Sequence, residues 1–126
     1  TLNKFRKNCG NIWIYMKYVL VLDVAKGKSV YCFIDELKNR FKNIYIFFDN
    51  DFDKEENHGR QYAQFLSKTF DIPYIEIPNE YKVKDPSDFV NKYGREKLKQ
   101  LINELIWNTE NFLEITYWQI IKIMLL

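Results

Sequence analysis

The amino-acid sequence predicts a single α/β domain in which a mainly parallel β-sheet is flanked by helices, as in Rossmann-like folds. Short runs of β-branched and aromatic residues alternate along the chain with amphipathic stretches of helical period, an order typical of parallel sheets with covering helices. The 126 residues, 47% of them hydrophobic, suffice for one core. A net charge of +2, from 19 basic and 17 acidic residues, argues against a disordered acidic tail or an arginine-rich arm.

The first half of the chain contains two strand signals separated by a helix. Tyr18–Asp23 is an apolar run with the length of a buried strand. Within Val30–Phe41, apolar side chains recur at steps of three and four, which predicts a helix. Asn43–Phe48 is the strongest strand signal, because its apolar run is unbroken, as expected for a strand covered on both faces.

The second half continues the alternation. A helical pattern covers Gly59–Phe70, and a third strand is predicted at Tyr74–Ile77, between two prolines. Pro86–Tyr93 is preceded by aspartate and followed by glycine, the residues preferred on either side of a helix that starts with proline. Arg95–Ile106 carries an apolar helical face. The order of strands and helices predicts parallel pairing.

No internal repeat or composition shift divides the chain, so we interpret residues 1–126 as one domain with a hydrophobic C-terminal extension at 107–126. The first residue is threonine rather than methionine, which suggests truncation or processing at the N-terminus. The extension either packs on the sheet or presents a hydrophobic face to another domain or a second copy.

Two observations predict a cytoplasmic protein without a membrane segment. The most apolar stretch, Ile115–Leu126, is shorter than the roughly 18 to 20 residues of a spanning helix and contains Lys122. The two cysteines, Cys9 and Cys32, have neither the number nor the spacing of a disulfide scaffold or a zinc site. We expect both to be buried apolar residues in a reducing compartment.

The most informative segment is an acidic cluster directly after the predicted strand Asn43–Phe48. Asp49 and Asp51 lie at the carboxyl end of this strand, where open α/β sheets bind their ligands. Side chains two residues apart in an extended segment point to the same face, roughly 6.5 to 7 Å apart. Two carboxylates in this arrangement suit Mg²⁺ together with substrate phosphates. The alternative is that the Asp-Asn-Asp sequence forms a turn and caps the next helix.

A second acidic group follows the third predicted strand. Asp85 and Asp88 flank Pro86 and Ser87, and neighbouring parallel strands would bring them towards the same edge of the sheet as Asp49. Helix capping also explains these residues, because Asp85 is at the N-cap position and Asp88 is in the first turn. The two roles are compatible.

Four segments together carry a resemblance to a known family. IYIFFDND is followed by GRQYAQFL, PYIEIP and KDPSDFVNKYG, and this series resembles the Toprim domain of primases, topoisomerases and some nucleases. The primase branch, with its DnaG-type and phage-like DNA primases, is the most similar. The resemblance extends from about Phe33 to Leu105, and it implies a Toprim-like fold.

The resemblance implies Mg²⁺-dependent nucleotidyl or phosphoryl transfer on nucleic acid during DNA replication, with Mn²⁺ as a substitute ion. Asp49 and Asp51 inherit the catalytic and metal-binding roles, and Asp85 and Asp88 would assist at the metal. The implied partners are DNA or RNA, nucleotides and other replication domains. Two alternatives keep the fold: a small nuclease, and a catalytically inactive remnant that acts as an interaction module.

One departure from the family bears on activity. Toprim domains carry a glutamate for acid–base work after their first strand, whereas this chain has no glutamate before Glu36, inside a predicted helix. Asp23 is the only earlier acid at a strand end, but it lies 26 residues before Asp49, a spacing that better suits the second strand. The first strand of the family is then degraded within Thr1–Tyr15 or lost, and Thr1–Asn8 is the candidate for an eroded counterpart of the motif that begins this region in primase-like proteins.

A second departure is the loop after Asp51. The family places a glycine about three residues after the second aspartate, whereas Gly59 lies eight residues after Asp51. The inserted residues include His58, for which we expect an exposed loop position rather than a role as ligand or general base.

Overall fold

The computed structural model describes the backbone of residues 2–7, 9–25 and 29–125, and the side chains of residues 9–25, 30–111 and 119–125. Residues 1 and 8, at the ends of the proposed eroded motif Thr1–Asn8, lie outside this range. The residues between them form a strand.

The sheet has four strands in the order β1 (Leu2–Lys7), β2 (Gly10–Tyr15), β3 (Tyr18–Val24) and β4 (Ile44–Ile46). The pairs β1–β2 and β2–β3 are antiparallel, and β3–β4 is parallel. The α/β class is therefore confirmed, but the sheet is mixed. The sequence prediction missed the β1–β2 hairpin, because β1 is rich in polar and charged residues and the apolar run of β2, Ile12–Tyr15, is too short to indicate a strand by itself.

The predicted third parallel strand is reduced to a single bridge. Tyr74 pairs in parallel with Ile46, where the Ile75 amide donates to the Ile46 carbonyl at 2.8 Å. Prolines at positions 73 and 78 bound the segment, and a proline has no amide hydrogen to extend a ladder. The segment therefore runs beside β4 without forming a full strand.

The four predicted helices are confirmed as α1 (Ser29–Arg40), α2 (His58–Phe70), α3 (Pro86–Tyr93) and α4 (Arg95–Met124). Helix α4 continues far beyond the predicted end at Ile106, so most of the hydrophobic extension is helical. The hydroxyls of Tyr18 and Tyr45 both donate to Glu110 of this helix, at 3.4 and 3.1 Å. Across the part of the chain that the structure describes, no helix combines the length and apolar character needed to cross a membrane.

The core has two halves, one on each face of the sheet. Because side chains alternate along a strand, Val19 and Val21 of β3 pack with α1 and α2, whereas Leu20 packs with α3 and α4. The result is a three-layer arrangement with a helix pair on each side of the sheet. The expectation of buried cysteines is wrong for Cys32, which is exposed on α1, and Cys9 is half-buried.

Candidate functional site

A cavity of about 400 Å³ opens at the carboxyl ends of the parallel strands β3 and β4. Four carboxylates line it, and most of the remaining lining is aromatic or apolar. The acidic residues are Asp23, Asp49, Asp51 and Asp85. The location agrees with the general rule that open α/β sheets bind ligands beyond the carboxyl ends of their strands.

The elements of the fold explain why three of the four predicted site residues meet. Asp49 and Asp51 follow β4, and Asp85 caps α3 by accepting a hydrogen bond from the Asp88 amide at 2.8 Å. Asp49 and Asp51 line the cavity while Asn50 between them is fully buried, which is the alternation expected of an extended segment.

The fourth predicted residue, Asp88, does not line this cavity. Its side chain is exposed and lies on a separate cleft, whose charged lining consists of Asp53, Asp88 and three lysines, Lys82, Lys84 and Lys92. The structure therefore places Asp88 beside a basic cleft and gives it a backbone contact with Asp85.

Asp23 is the site residue that sequence reasoning assigned elsewhere. It lies at the end of β3, and Val21 of that strand pairs with Ile46 of β4, so Asp23 and Asp49 lie at the carboxyl ends of neighbouring parallel strands. Both oxygens of the Asp23 carboxylate accept hydrogen bonds from the side-chain amide of Asn11, at 2.8 and 2.6 Å, and one also accepts from the Asn11 backbone amide at 3.0 Å. The feature of the sequence that could have identified Asp23 as a site residue is its position at the end of a predicted strand. This position is more informative than the short spacing to Asp49.

The other acidic residues of the cavity make it less favourable for the Asp49 carboxylate to carry its negative charge. Burial is the largest cause that raises the pKa of Asp49, followed by repulsion from Asp85 and Asp51. Asp23 contributes in the same direction, and the nearby Lys84 partly opposes the shift. A cavity with this surplus of negative charge attracts cations.

Asp51 is held at the start of α2. Its side chain is buried, and one carboxylate oxygen accepts a hydrogen bond from the Gly59 amide at 3.0 Å. The positive end of the helix dipole favours a carboxylate here. The other oxygen lies 3.7 Å from the Lys54 ammonium group.

Gly59 fits because it has no side chain. A Cβ atom at this position would lie 2.0 Å from the Asp49 carbonyl oxygen and 3.3 Å from a carboxylate oxygen of Asp51. The exposed residues 53–56 form a loop, after which the chain comes back to the two aspartates at Gly59. The longer spacing in sequence therefore leaves the glycine in contact with both aspartates.

Asn50 fixes the two aspartates through a buried hydrogen-bond network. Its side-chain nitrogen donates to the Ile77 carbonyl and to the Asn79 side chain, both at 2.7 Å, and its side-chain oxygen accepts from Asn57 at 2.7 Å. The Asn57 oxygen in turn accepts from the Asp51 amide and, as the cap of α2, from the Arg60 amide, both at 3.0 Å. The network joins residues 49–51 to the start of α2 and to residues 77–79.

The inserted loop contributes no further ligand to the cavity. The His58 side chain is exposed, and its Nε2 atom lies 3.6 Å from a Glu56 carboxylate oxygen. The exposure of the side chain agrees with the expectation, but His58 is the first residue of α2 rather than a loop residue.

The carboxylates do not form a closed metal cage. Within residues 9–25, 30–111 and 119–125, no group of three or more His, Cys, Asp and Glu side chains is arranged to hold a metal ion by itself. Mg²⁺ does not require such a cage, since it commonly takes one or two carboxylates together with water and phosphate oxygens. Asp49 and Asp51 fit that requirement, with Asp85 and Asp23 adding negative charge around them.

Comparison of the chain with protein-family models, with curated proteins and with solved structures gives no match.

The contact at Gly59 predicts that Gly59→Ala destabilises the protein. Helix propensity alone would make this change stabilising by about 1 kcal/mol, whereas the clash with the Asp49 carbonyl costs about 1–3 kcal/mol. Urea unfolding should therefore give a lower free energy of unfolding for the variant. The exposed Gln61→Ala on the same helix is the control, and a more stable Gly59→Ala variant would contradict the described contact.

The buried network predicts that Asn50→Asp is strongly destabilising at neutral pH. The change removes both donors to Ile77 and Asn79 and buries a charge, and each buried polar group left without a partner costs about 1–3 kcal/mol. Protonation of the new carboxyl restores one donor, so the loss should shrink as the pH falls. Thermal unfolding across pH 4–8 measures this, with the exposed Asn108→Asp as control, and equal unfolding curves for wild type and Asn50→Asp would refute the network.

Proposed function

We propose that the acidic cavity binds Mg²⁺, or Mn²⁺ in its place, and that the chain is a Toprim-like domain acting in nucleotidyl transfer of the DNA primase type. The observation that carries the proposal is that Asp23, Asp49, Asp51 and Asp85 line one cavity at the carboxyl ends of two parallel strands. When bound, the metal ion would neutralise charge on phosphate oxygens.

The roles of the residues follow from their surroundings. Asp49 and Asp51 are the proposed metal ligands, because they share one face of an extended segment that the Asn50 network holds in place. Asp85 is the proposed third acidic group near the metal. Asp88 is left out of this set, since it lies on the separate basic cleft.

Asp23 is the proposed replacement for the family's glutamate. The family glutamate follows a strand that precedes the Asp-x-Asp strand, and Asp23 does the same at the end of β3. The hydrogen bonds from Asn11 fix the orientation of this carboxylate beside the cavity. A carboxylate in such a position is suited to proton transfer at the substrate.

The proposed partners are single-stranded DNA or RNA and nucleotides, together with other replication domains. The basic cleft with Lys82, Lys84 and Lys92 supports this, because lysines beside an acidic metal site suit contacts with phosphates. Lys84 is close enough to the cavity to influence Asp49.

A second candidate is an inactive Toprim-like module that binds another protein. It is favoured by the absence of a three-ligand metal group among the described side chains, and by exposed apolar residues towards the end of α4, such as Ile123 and Met124. Activity measurements separate the two candidates.

An assay with single-stranded DNA, nucleoside triphosphates and Mg²⁺ tests the proposed reaction. We expect extended products with the wild type and a rate about 100-fold lower with Asp49→Asn, because removing a metal ligand removes several kcal/mol of transition-state stabilisation. Asp35→Asn, which removes an exposed acid of α1 outside both the cavity and the basic cleft, is the control. Cleavage products instead would indicate a nuclease, and the absence of both activities would favour the inactive module.

The raised pKa of Asp49 predicts a cost in stability. The folded protein holds the Asp49 proton more tightly than the unfolded chain does, so protonation of Asp49 stabilises the fold. This stabilisation is fully present below the unfolded pKa of about 3.9 and is lost as the pH rises through the folded pKa. At neutral pH without metal, Asp49→Asn should therefore raise the unfolding temperature, and the gain should vanish in acid. Asp53→Asn should show no such gain, and a destabilised Asp49→Asn at neutral pH would contradict the described electrostatics.

A further inference from the structure

We propose that Trp13 forms a stacking surface for a nucleobase in the acidic cavity, so that the site recognises a nucleotide by its base as well as by its phosphates. The inference rests on the proposed function, since it assigns the substrate class of the same site. Trp13 belongs to the β1–β2 hairpin, which was not predicted from the sequence.

The position of Trp13 carries the inference. Trp13 is half-buried on β2 and lines the cavity together with the carboxylates. Leu22 of β3 and Pro86 of α3 line it as well, so one wall of an acidic cavity is apolar. An indole that lines an acidic cavity and is only half-buried leaves apolar surface for a ligand to cover.

The sheet itself shapes this wall. The register between β2 and β3 shifts at Asn11 and Ile12, which leaves Leu22 as an extra residue on β3. Such bulges redirect side chains and are common next to active sites. The irregularity therefore occurs where Leu22 and Trp13 border the cavity and where Asn11 holds Asp23.

The opposite side of the cavity is also aromatic. Phe48 and Tyr62 line it, and their rings are tilted against each other with centroids 5.7 Å apart. These two residues pack with the α1–α2 half of the core, whereas Trp13 and Leu22 pack with the other half. The lining of the cavity therefore combines carboxylates with aromatic groups contributed from both faces of the sheet.

This combination selects a ligand class. Carboxylates attract a divalent cation and, through it, phosphate oxygens, whereas a half-buried indole favours a flat ring that stacks on it. A nucleotide supplies both groups in one molecule. Inorganic phosphates supply only the first, and they are therefore the natural comparison ligand.

The test compares ATP with inorganic tripolyphosphate as paired probes, each titrated by calorimetry in the presence of Mn²⁺. We expect Trp13→Leu to weaken ATP binding about tenfold and to leave tripolyphosphate binding unchanged, whereas Trp13→Phe retains most of the ATP affinity. Asp49→Asn should weaken the binding of both probes. Thermal unfolding of each variant verifies that it is folded.

A fluorescence measurement provides a second readout. ATP should quench the tryptophan emission of the wild type, and most of this quenching should disappear in Trp13→Phe, which keeps the other two tryptophans. A folded Trp13→Leu variant that binds ATP as tightly as the wild type would overturn the role of Trp13 while leaving the proposed metal site intact. Equal weakening of both probes would also overturn it, and binding of neither probe by the wild type would overturn both proposals.

Discussion

The buried side chain of Asn50 is the constraint on which the candidate site depends. It satisfies the Ile77 carbonyl and the side chains of Asn57 and Asn79 at once, and its backbone amide donates to the Lys84 carbonyl at 2.7 Å. A fully buried amide with these partners has little freedom to move, since any displacement leaves polar groups unpaired. The flanking aspartates are therefore held by the interior of the protein rather than by each other.

The same arrangement concentrates negative charge at some expense of stability. Asp23 lies at the end of β3, Asp49 and Asp51 follow β4, and the N-cap residue Asp85 adds a fourth carboxylate to the cavity. Ordinary capping explains Asp85 alone, but it does not explain why burial and three other acids act together to raise the pKa of Asp49. Electrostatic strain of this kind is typical of sites that bind a cation or transfer a proton.

Elements whose ends are marked by particular residues in the sequence were predictable, whereas contacts between distant segments of the chain were not. Helix α3 was predicted to the residue, because Asp85 and Gly94 mark its ends in the sequence itself. The position of Asp23 in the cavity was not predicted, because spacing along the chain does not reveal which strands are neighbours in the sheet. The contact of Gly59 with both aspartates depends on how the inserted loop returns, and no local pattern encodes that path.

The most direct test of the central claim is a Mn²⁺ titration followed by electron paramagnetic resonance, in which free ions are counted as the protein is added. We expect wild type and Asp53→Asn to bind Mn²⁺ with equal affinity, and we expect Asp49→Asn and Asp51→Asn each to bind it at least tenfold more weakly. Equal Mn²⁺ binding by all four proteins would show that the acidic cavity is not a metal site.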